Sequence, residues 1–351
     1  MTDTRVTLHD VARAADVSLG SVSRALHGSG ASPRMVVRVQ AAAKRLGYRP
    51  DAAARTLRTG RTLHLGFAVA DIGNPVYVEM MRAIHDVVSP DGYHVVVMSS
   101  GNSAASARQL VESLSFGLVD GLIISPLWTD AALIGDLAGL DFPVVLLGPA
   151  PPDCPVDSVG TDSAAGIRLA VEHLAASGRR RLMFLNGPVP TTAGSARQRG
   201  LAQAVADPAL GLELVGSAVA DDFTVAAGTT AVQDLLDRPR GTVEAVVAAN
   251  DLLAIGAVTA ARRRGWTVPD DLAVTGMDGT EFAHIFSPSL TTVSLGARER
   301  GQRAAELMLE RLTGGRTEPR RVVVPPRLVV GESTATPIGP KTGRPAAPPP
   351  R

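Results

Sequence analysis

From residue 62 onward, short apolar runs alternate with amphipathic stretches, and this alternation constrains the fold of the 351-residue chain more than any other feature. Runs of strand length occupy 63–69, 94–98, 121–124, 144–147, 182–185, 245–248 and 272–274. Helix-patterned stretches lie among them at 77–88, 104–115, 166–176, 226–236 and 252–264. Continuously apolar strands separated by helices predict an α/β fold with parallel sheets covered on both faces. A body reaching residue 334 is large for one sheet, so the series reads as two doubly wound lobes, roughly 62–160 and 161–290, with later crossovers. Aromatic residues are only 3% of the chain, which leaves Val, Leu, Ile and Ala to build the cores.

Residues 1–61 differ in kind. They hold eleven Arg and Lys against four Asp, a net charge of +7 in a chain whose overall charge is +1. A basic head on an acidic body suggests a module that binds a polyanion. Its pattern predicts three short helices over 1–49. Thr7 precedes Asp10 by three residues, a capping-box spacing. Asp16 suits a tight turn, and Ser18 caps a second helix over 19–26. Ser32-Pro33 starts a third helix that stops at Gly47. Two short helices joined by such a turn form a helix-turn-helix, whose second helix enters the major groove of DNA. On that helix Leu19, Gly20, Ser21 and Arg24 face the base edges, and Arg24 suits guanine. Ser18, Ser21, Ser23, Arg34 and Arg38 suit phosphate oxygens, so Ser21 is open to either role. A helical hairpin used for protein contact is the alternative reading.

The strings Val6-Thr-Leu-His-Asp-Val-Ala-Arg-Ala-Ala-Asp-Val-Ser18 and Ser21-Val-Ser-Arg-Ala-Leu26 closely resemble the head of LacI/GalR-type transcriptional repressors. Leu46-Gly-Tyr-Arg-Pro-Asp-Ala-Ala-Ala-Arg-Thr-Leu57 resembles that family's connector, a hinge helix that folds on the operator. The resemblance implies that residues 50–61 form the hinge and that Leu57, flanked by Ala54 and Arg58, wedges into the minor groove. It continues through Ala248-Ala-Asn-Asp-Leu-Leu-Ala-Ile-Gly-Ala257 and Val268-Pro-Asp-Asp-Leu-Ala-Val-Thr-Gly-Met-Asp278, and covers 5–334 in all. For 62–334 it implies a periplasmic-binding-protein-like domain that dimerises and holds an effector between its two lobes.

Carried over residue by residue, the resemblance places Val76, Tyr77, Ser125, Asp162, Arg197, Phe223, Asn250 and Asp278 around the effector. A carboxylate, an arginine, an amide and an aromatic platform suit a carbohydrate. Alternatives remain at several positions: Asp278 as a helix cap, Arg199 in place of Arg197, and Tyr77 or Phe223 as packing residues. The implied partners are pseudo-palindromic double-stranded operator DNA, a small-molecule effector and a second copy of the chain.

Several classes are disfavoured. Cys154 is the only cysteine, and the seven histidines show no metal spacing. No nucleophile elbow or Walker loop is present, so neither enzymatic activity nor a cofactor or metal is expected. No apolar run approaches the length of a membrane span, and the first 13 residues lack a signal-peptide core. A cytoplasmic protein with no membrane contact is expected. The alternative function is a periplasmic-type sugar-binding protein without a regulatory role. Six prolines over 335–351 predict a disordered tail, and Cys154 falls in a Pro-rich stretch expected to be a surface turn.

Overall fold

The structure, a computed structural model, describes residues 6–27, 30–48, 60–114 and 117–335. The hinge positions Ala54, Leu57 and Arg58, and the tail from 336, lie outside the described residues. The chain divides into two compact units, 1–62 and 63–351.

The first unit holds helices α1 (Leu8–Ala15), α2 (Leu19–His27) and α3 (Pro33–Leu46). Thr7 and Asp10 close a reciprocal capping box: Thr7 N donates to Asp10 Oδ2 at 3.0 Å, and Asp10 N donates to Thr7 Oγ1 at 3.4 Å. Asp16 ends α1 in the left-handed region at φ 50°, which turns the chain into α2. Ser32 caps α3 ahead of Pro33, and Gly47 ends it at φ 68°. Val11, Val22 and Val39, one from each helix, meet in a small fully buried core.

The second unit is built on two six-stranded sheets. The first has the order β11-β5-β4-β3-β1-β2 and is parallel throughout. Its strands are β1 (His64–Val69), β2 (His94–Ser99), β3 (Gly121–Ser125), β4 (Val144–Leu147), β5 (Asp157–Thr161) and β11 (Arg321–Val324). The second has the order β12-β10-β9-β8-β6-β7 and is parallel except for β12. It comprises β6 (Arg181–Asn186), β7 (Glu213–Val219), β8 (Ala245–Ala248), β9 (Ala273–Asp278), β10 (Thr291–Ser294) and β12 (Arg327–Val329).

The chain passes between the lobes three times: after β5, after β10 and after β11. The second passage carries helix Ala297–Leu312 back onto helix Pro75–Val88, so a late segment completes the core of the first lobe. Gly301 permits this contact, because a Cβ there would lie 2.7 Å from the Met80 carbonyl oxygen. Asp157 anchors the same corner. Its carboxylate, fully buried, accepts from Arg311 Nε at 2.9 Å, from both Arg316 Nη groups at 2.7 and 2.9 Å, and from Arg320 N at 2.6 Å. Cys154 is not at the surface, as its proline-rich setting suggested. It is buried in the cluster that covers the other face of the first sheet, because the turn folds inward against Val156 and Ala150.

In the second lobe, helices Val225–Ala231 and Asp251–Arg263 touch through glycines. A Cβ on Gly256 would lie 2.5 Å from the Val225 carbonyl oxygen, and one on Gly228 would lie 2.8 Å from that of Leu253. Backbone oxygens cannot step aside as side chains do. Gly256→Ala is therefore expected to destabilise the body by about 1–3 kcal/mol, the usual range for overpacking. Urea unfolding checks it, and a variant as stable as the parent would contradict the close helix contact.

Candidate functional site

On the head, α2 turns Val22 and Ala25 inward and leaves Leu19, Gly20 and Arg24 exposed, with Ser21 and Ser23 half-buried. No atom lies within 4 Å of the place a Gly20 Cβ would take, so the first turn of α2 presents an open face. Ser18 caps that turn by accepting from Ser21 N at 3.2 Å, and Arg24 Nη2 donates to Ser21 Oγ at 3.4 Å. Arg34 is exposed in the first turn of α3. Arg38 has a structural task besides its charge: its Nη2 donates to the Asp16 carbonyl at 3.2 Å and braces the turn between α1 and α2. A short helix with an open N-terminal turn flanked by cations matches the size and charge of a DNA major groove.

In the body, loops after the carboxyl ends of strands from both sheets enclose a cavity of 390 Å³. Ligands of doubly wound sheets bind at this end of the strands. Seven of the eight expected residues line the cavity: Val76, Tyr77, Ser125, Arg197, Phe223, Asn250 and Asp278. Asp162 does not. Its carboxylate accepts from Ala165 N at 2.9 Å and caps helix Ser163–Ala176, while its neighbours Thr161 and Ser163 face the cavity. Of the two candidate arginines, Arg197 is buried and lines the cavity, and Arg199 is exposed on the outside of helix Thr192–Val205.

Local chemistry fixes each side chain. Asn74 caps helix Pro75–Val88 by accepting from Val76 N at 3.1 Å, which places Val76 and Tyr77 at the cavity wall. The Tyr77 hydroxyl is hydrogen-bonded to Ser125, and burial pushes it above its ordinary value. Arg197 Nη2 donates to Asp278 Oδ1 at 3.3 Å, and its guanidinium carbon lies 5.5 Å from the Phe223 ring centroid. Phe223 lies against Gly187, where a Cβ would sit 2.3 Å from its ring. Asn250 is less free than its sequence position suggested: its Oδ1 accepts from Leu253 N at 2.8 Å and its Nδ2 donates to the Phe223 carbonyl at 3.2 Å. It caps helix Asp251–Arg263 and steadies Phe223 from behind.

Asp278 ends β9 at φ 115°, a backbone conformation that costs a non-glycine residue of order 1–3 kcal/mol. Asp251, which the sequence alone does not single out, braces the turn that follows it and the neighbouring strand β10. Asp251 Oδ2 accepts from Thr280 N at 2.8 Å and Thr280 Oγ1 at 2.9 Å, and Oδ1 accepts from Thr292 Oγ1 at 2.5 Å. Burial, with the Asp278 charge nearby, pushes the Asp251 carboxyl up to about 7. Burial likewise raises Asp278, against the pull of Arg197 and Arg300. Arg300 is the second omission. It lines the cavity from helix Ala297–Leu312, only 8% exposed.

The two lobes are bonded across the cleft mouth. Thr192 N donates to the Leu127 carbonyl and Thr129 N to Thr192 Oγ1, each at 3.0 Å. Glu281 N donates to Glu79 Oε1 at 3.1 Å.

Comparison with known proteins matches the two units separately. Residues 7–51 match the model of bacterial regulatory proteins of the lacI family, and residues 171–334 match a periplasmic binding protein-like domain. The HTH-type transcriptional regulator CelR of Thermobifida fusca is 35% identical over 341 residues, covering 94% of this chain and 98% of that protein. The chain belongs to the LacI family. The ribose operon repressor of Halalkalibacterium halodurans is 31% identical, covering 93% of this chain and 97% of that repressor. LacI-family proteins are DNA-binding transcriptional regulators, not enzymes. Among solved structures, the Lac repressor dimer bound to operator and the anti-inducer ONPF has a TM-score of 0.83 at 27% identity, covering 95% of this chain and all of that one. A CelR–cellobiose complex has a TM-score of 0.68 at 33% identity, covering 94% of this chain and all of that one. The LacI-family fold thus accounts for both units, the helical head and the two-sheet body. Among the described residues, no helix is long and apolar enough to cross a membrane.

Proposed function

We propose that this LacI-family regulator is a repressor that binds a pseudo-palindromic operator as a homodimer in the cytoplasm and is controlled by a carbohydrate effector. The cavity between the lobes carries the effector reading: Asp278, Arg197 and Ser125 supply hydroxyl partners around the Phe223 face. Relatives support it, since CelR is solved with cellobiose and an Enterococcus faecium LacI-family regulator with ribose. On DNA, Leu19, Gly20, Ser21 and Arg24 meet base edges, and Ser18, Ser23, Arg34 and Arg38 meet phosphates. Ala54, Leu57 and Arg58 form the minor-groove wedge by resemblance alone. The lacI-type head weighs against a stand-alone sugar carrier.

Fluorescence anisotropy with the DNA flanking the gene, over a salt series, tests the reading. Sequence-selective binding that weakens steeply with salt is expected. Arg24→Ala should weaken it by about 1–3 kcal/mol and relax the choice of base at one position. Sugar binding without any sequence-selective DNA binding would restore the carrier reading.

A further inference from the structure

Arg300 is buried at the cavity without the partners that a buried arginine elsewhere in this protein has. Arg197, buried to a similar degree, donates to Asp278 Oδ1 at 3.3 Å, and the half-buried Arg316 is bonded to both carboxylate oxygens of Asp157 and to Glu310 at 3.0 Å. The Arg300 guanidinium makes no hydrogen bond or salt bridge among the described residues, and its Nε is buried with no partner at all. The Nε of Arg197 is in the same state. Burial pulls Arg300 below its ordinary value, opposed by Asp278 and Tyr77.

None of the carboxylates around the cavity is bonded to Arg300. Asp278 is shared between two cations, and Arg197 already holds its Oδ1. Asp71 and Asp222 lie exposed at the rim and serve their own turns, accepting from Gly73 N and Phe223 N. Glu79 Oε1 accepts from the backbone of Glu281 across the cleft. Asp251 is enclosed by threonine hydroxyls and does not line the cavity. A buried ion with no hydrogen-bonded counter-charge of its own is costly, and it persists where a ligand supplies that partner.

We infer that the effector is an anionic carbohydrate, whose carboxylate or phosphate group pairs with Arg300 while its hydroxyls meet Asp278 and Arg197. This rests on the carbohydrate reading of the cavity. The guanidinium fork suits the two oxygens of either anion, and charge-assisted hydrogen bonds are about twice as strong as neutral ones. Arg300 also selects: a neutral sugar leaves its donors dry and unpaired, which is a larger penalty than a missed contact in water.

The test is a matched panel, read by calorimetry and thermal shift on the full chain: glucose, glucuronate and glucose 6-phosphate; galactose and galacturonate; ribose and ribose 5-phosphate; cellobiose. At least one anionic member is expected to bind roughly ten- to a hundredfold tighter than its neutral parent. Which anion does so separates carboxylate from phosphate. Arg300→Met should abolish that preference and, with no sugar present, raise the melting temperature, because it removes an unpaired buried cation. Arg300→Lys, which keeps the charge, should keep part of the preference. A neutral parent that binds as tightly as its anionic derivatives overturns the inference and leaves the carbohydrate reading standing. An Arg300→Met protein that melts lower and keeps the parent's sugar preference assigns Arg300 to packing and also overturns it. No shift with any member of the panel overturns both readings.

Discussion

Asp157→Ala is expected to lower the unfolding free energy by about 3–5 kcal/mol, the range for removing one partner of a buried ion pair. Its carboxylate is wholly buried and accepts from Arg311, Arg316 and the backbone of Arg320. Arg316, with its side chain 7% exposed, has Glu310 as its one other carboxylate partner. Deleting Asp157 therefore leaves Arg316 with Glu310 as its remaining carboxylate, strands the Arg320 N–H, and removes the cluster that pins β11 to β5. Burial works to raise the Asp157 carboxyl, yet the hydrogen bonds from Arg316 and Arg311 hold it below its ordinary value. A carboxylate lowered by folding stabilises the native state fully above its unfolded value of 3.8, and that contribution is lost as pH falls through the lower folded value. The parent should lose stability on acidification more steeply than Asp157→Ala. Urea midpoints at pH 7 and across acid pH measure both effects. A loss under about 1 kcal/mol would reduce the cluster to an ordinary surface network.

Asp278→Ala is expected to weaken effector binding by about 3 kcal/mol, a hundredfold or more, because it deletes a buried charged acceptor and releases Arg197 from it. The consequence for the operator depends on the sign of the coupling. If the sugar releases DNA, the variant stays on the operator at sugar concentrations that clear the parent. If the sugar is needed for DNA binding, the variant fails to repress at any concentration. Linkage makes the two sites reciprocal, so operator titrations with and without sugar report the same coupling as sugar titrations with and without operator. Equal responses in parent and variant would remove Asp278 from the site.

How much of this was legible in the sequence depended on who pays for burial. The central strands β1, β3, β4, β6, β8 and β9 are apolar enough to announce themselves. β5 and β10 are as buried as these but carry Asp157 and Ser158, or Thr291 and Thr292. Their polar groups are matched by partners distant in sequence, such as Asp251 for Thr292 and Gly331 for Thr291, which no local pattern displays. The edge strands β7 and β12 are half-exposed and lack a continuous apolar run, and β11 offers only the three valines 322–324 beside two prolines. Within the cavity, residues in the resembling strings at strand ends came together. Asp162 did not, because an aspartate just before a helix is first of all a cap. Arg300 does carry a signal in the sequence. On helix Ala297–Leu312 it stands in the stripe Ala297, Gly301, Ala304, Ala305 and Met308, the one cation on an otherwise buried small and apolar face.

The return of β11 to the first sheet also sets a timetable for biosynthesis. Asp157 and Arg320 are 163 residues apart, and all the arginines that neutralise Asp157 belong to the later segment. At the usual elongation rate of about 5–20 residues per second, β5 waits roughly 8–33 seconds on the ribosome for its outer neighbour. Over that interval the nascent first lobe has an open β5 edge, an uncovered groove awaiting helix Ala297–Leu312, and a carboxylate that keeps its hydration. Translation of the second lobe therefore proceeds beside an unfinished first one, and this is the period in which a holdase chaperone has most to protect.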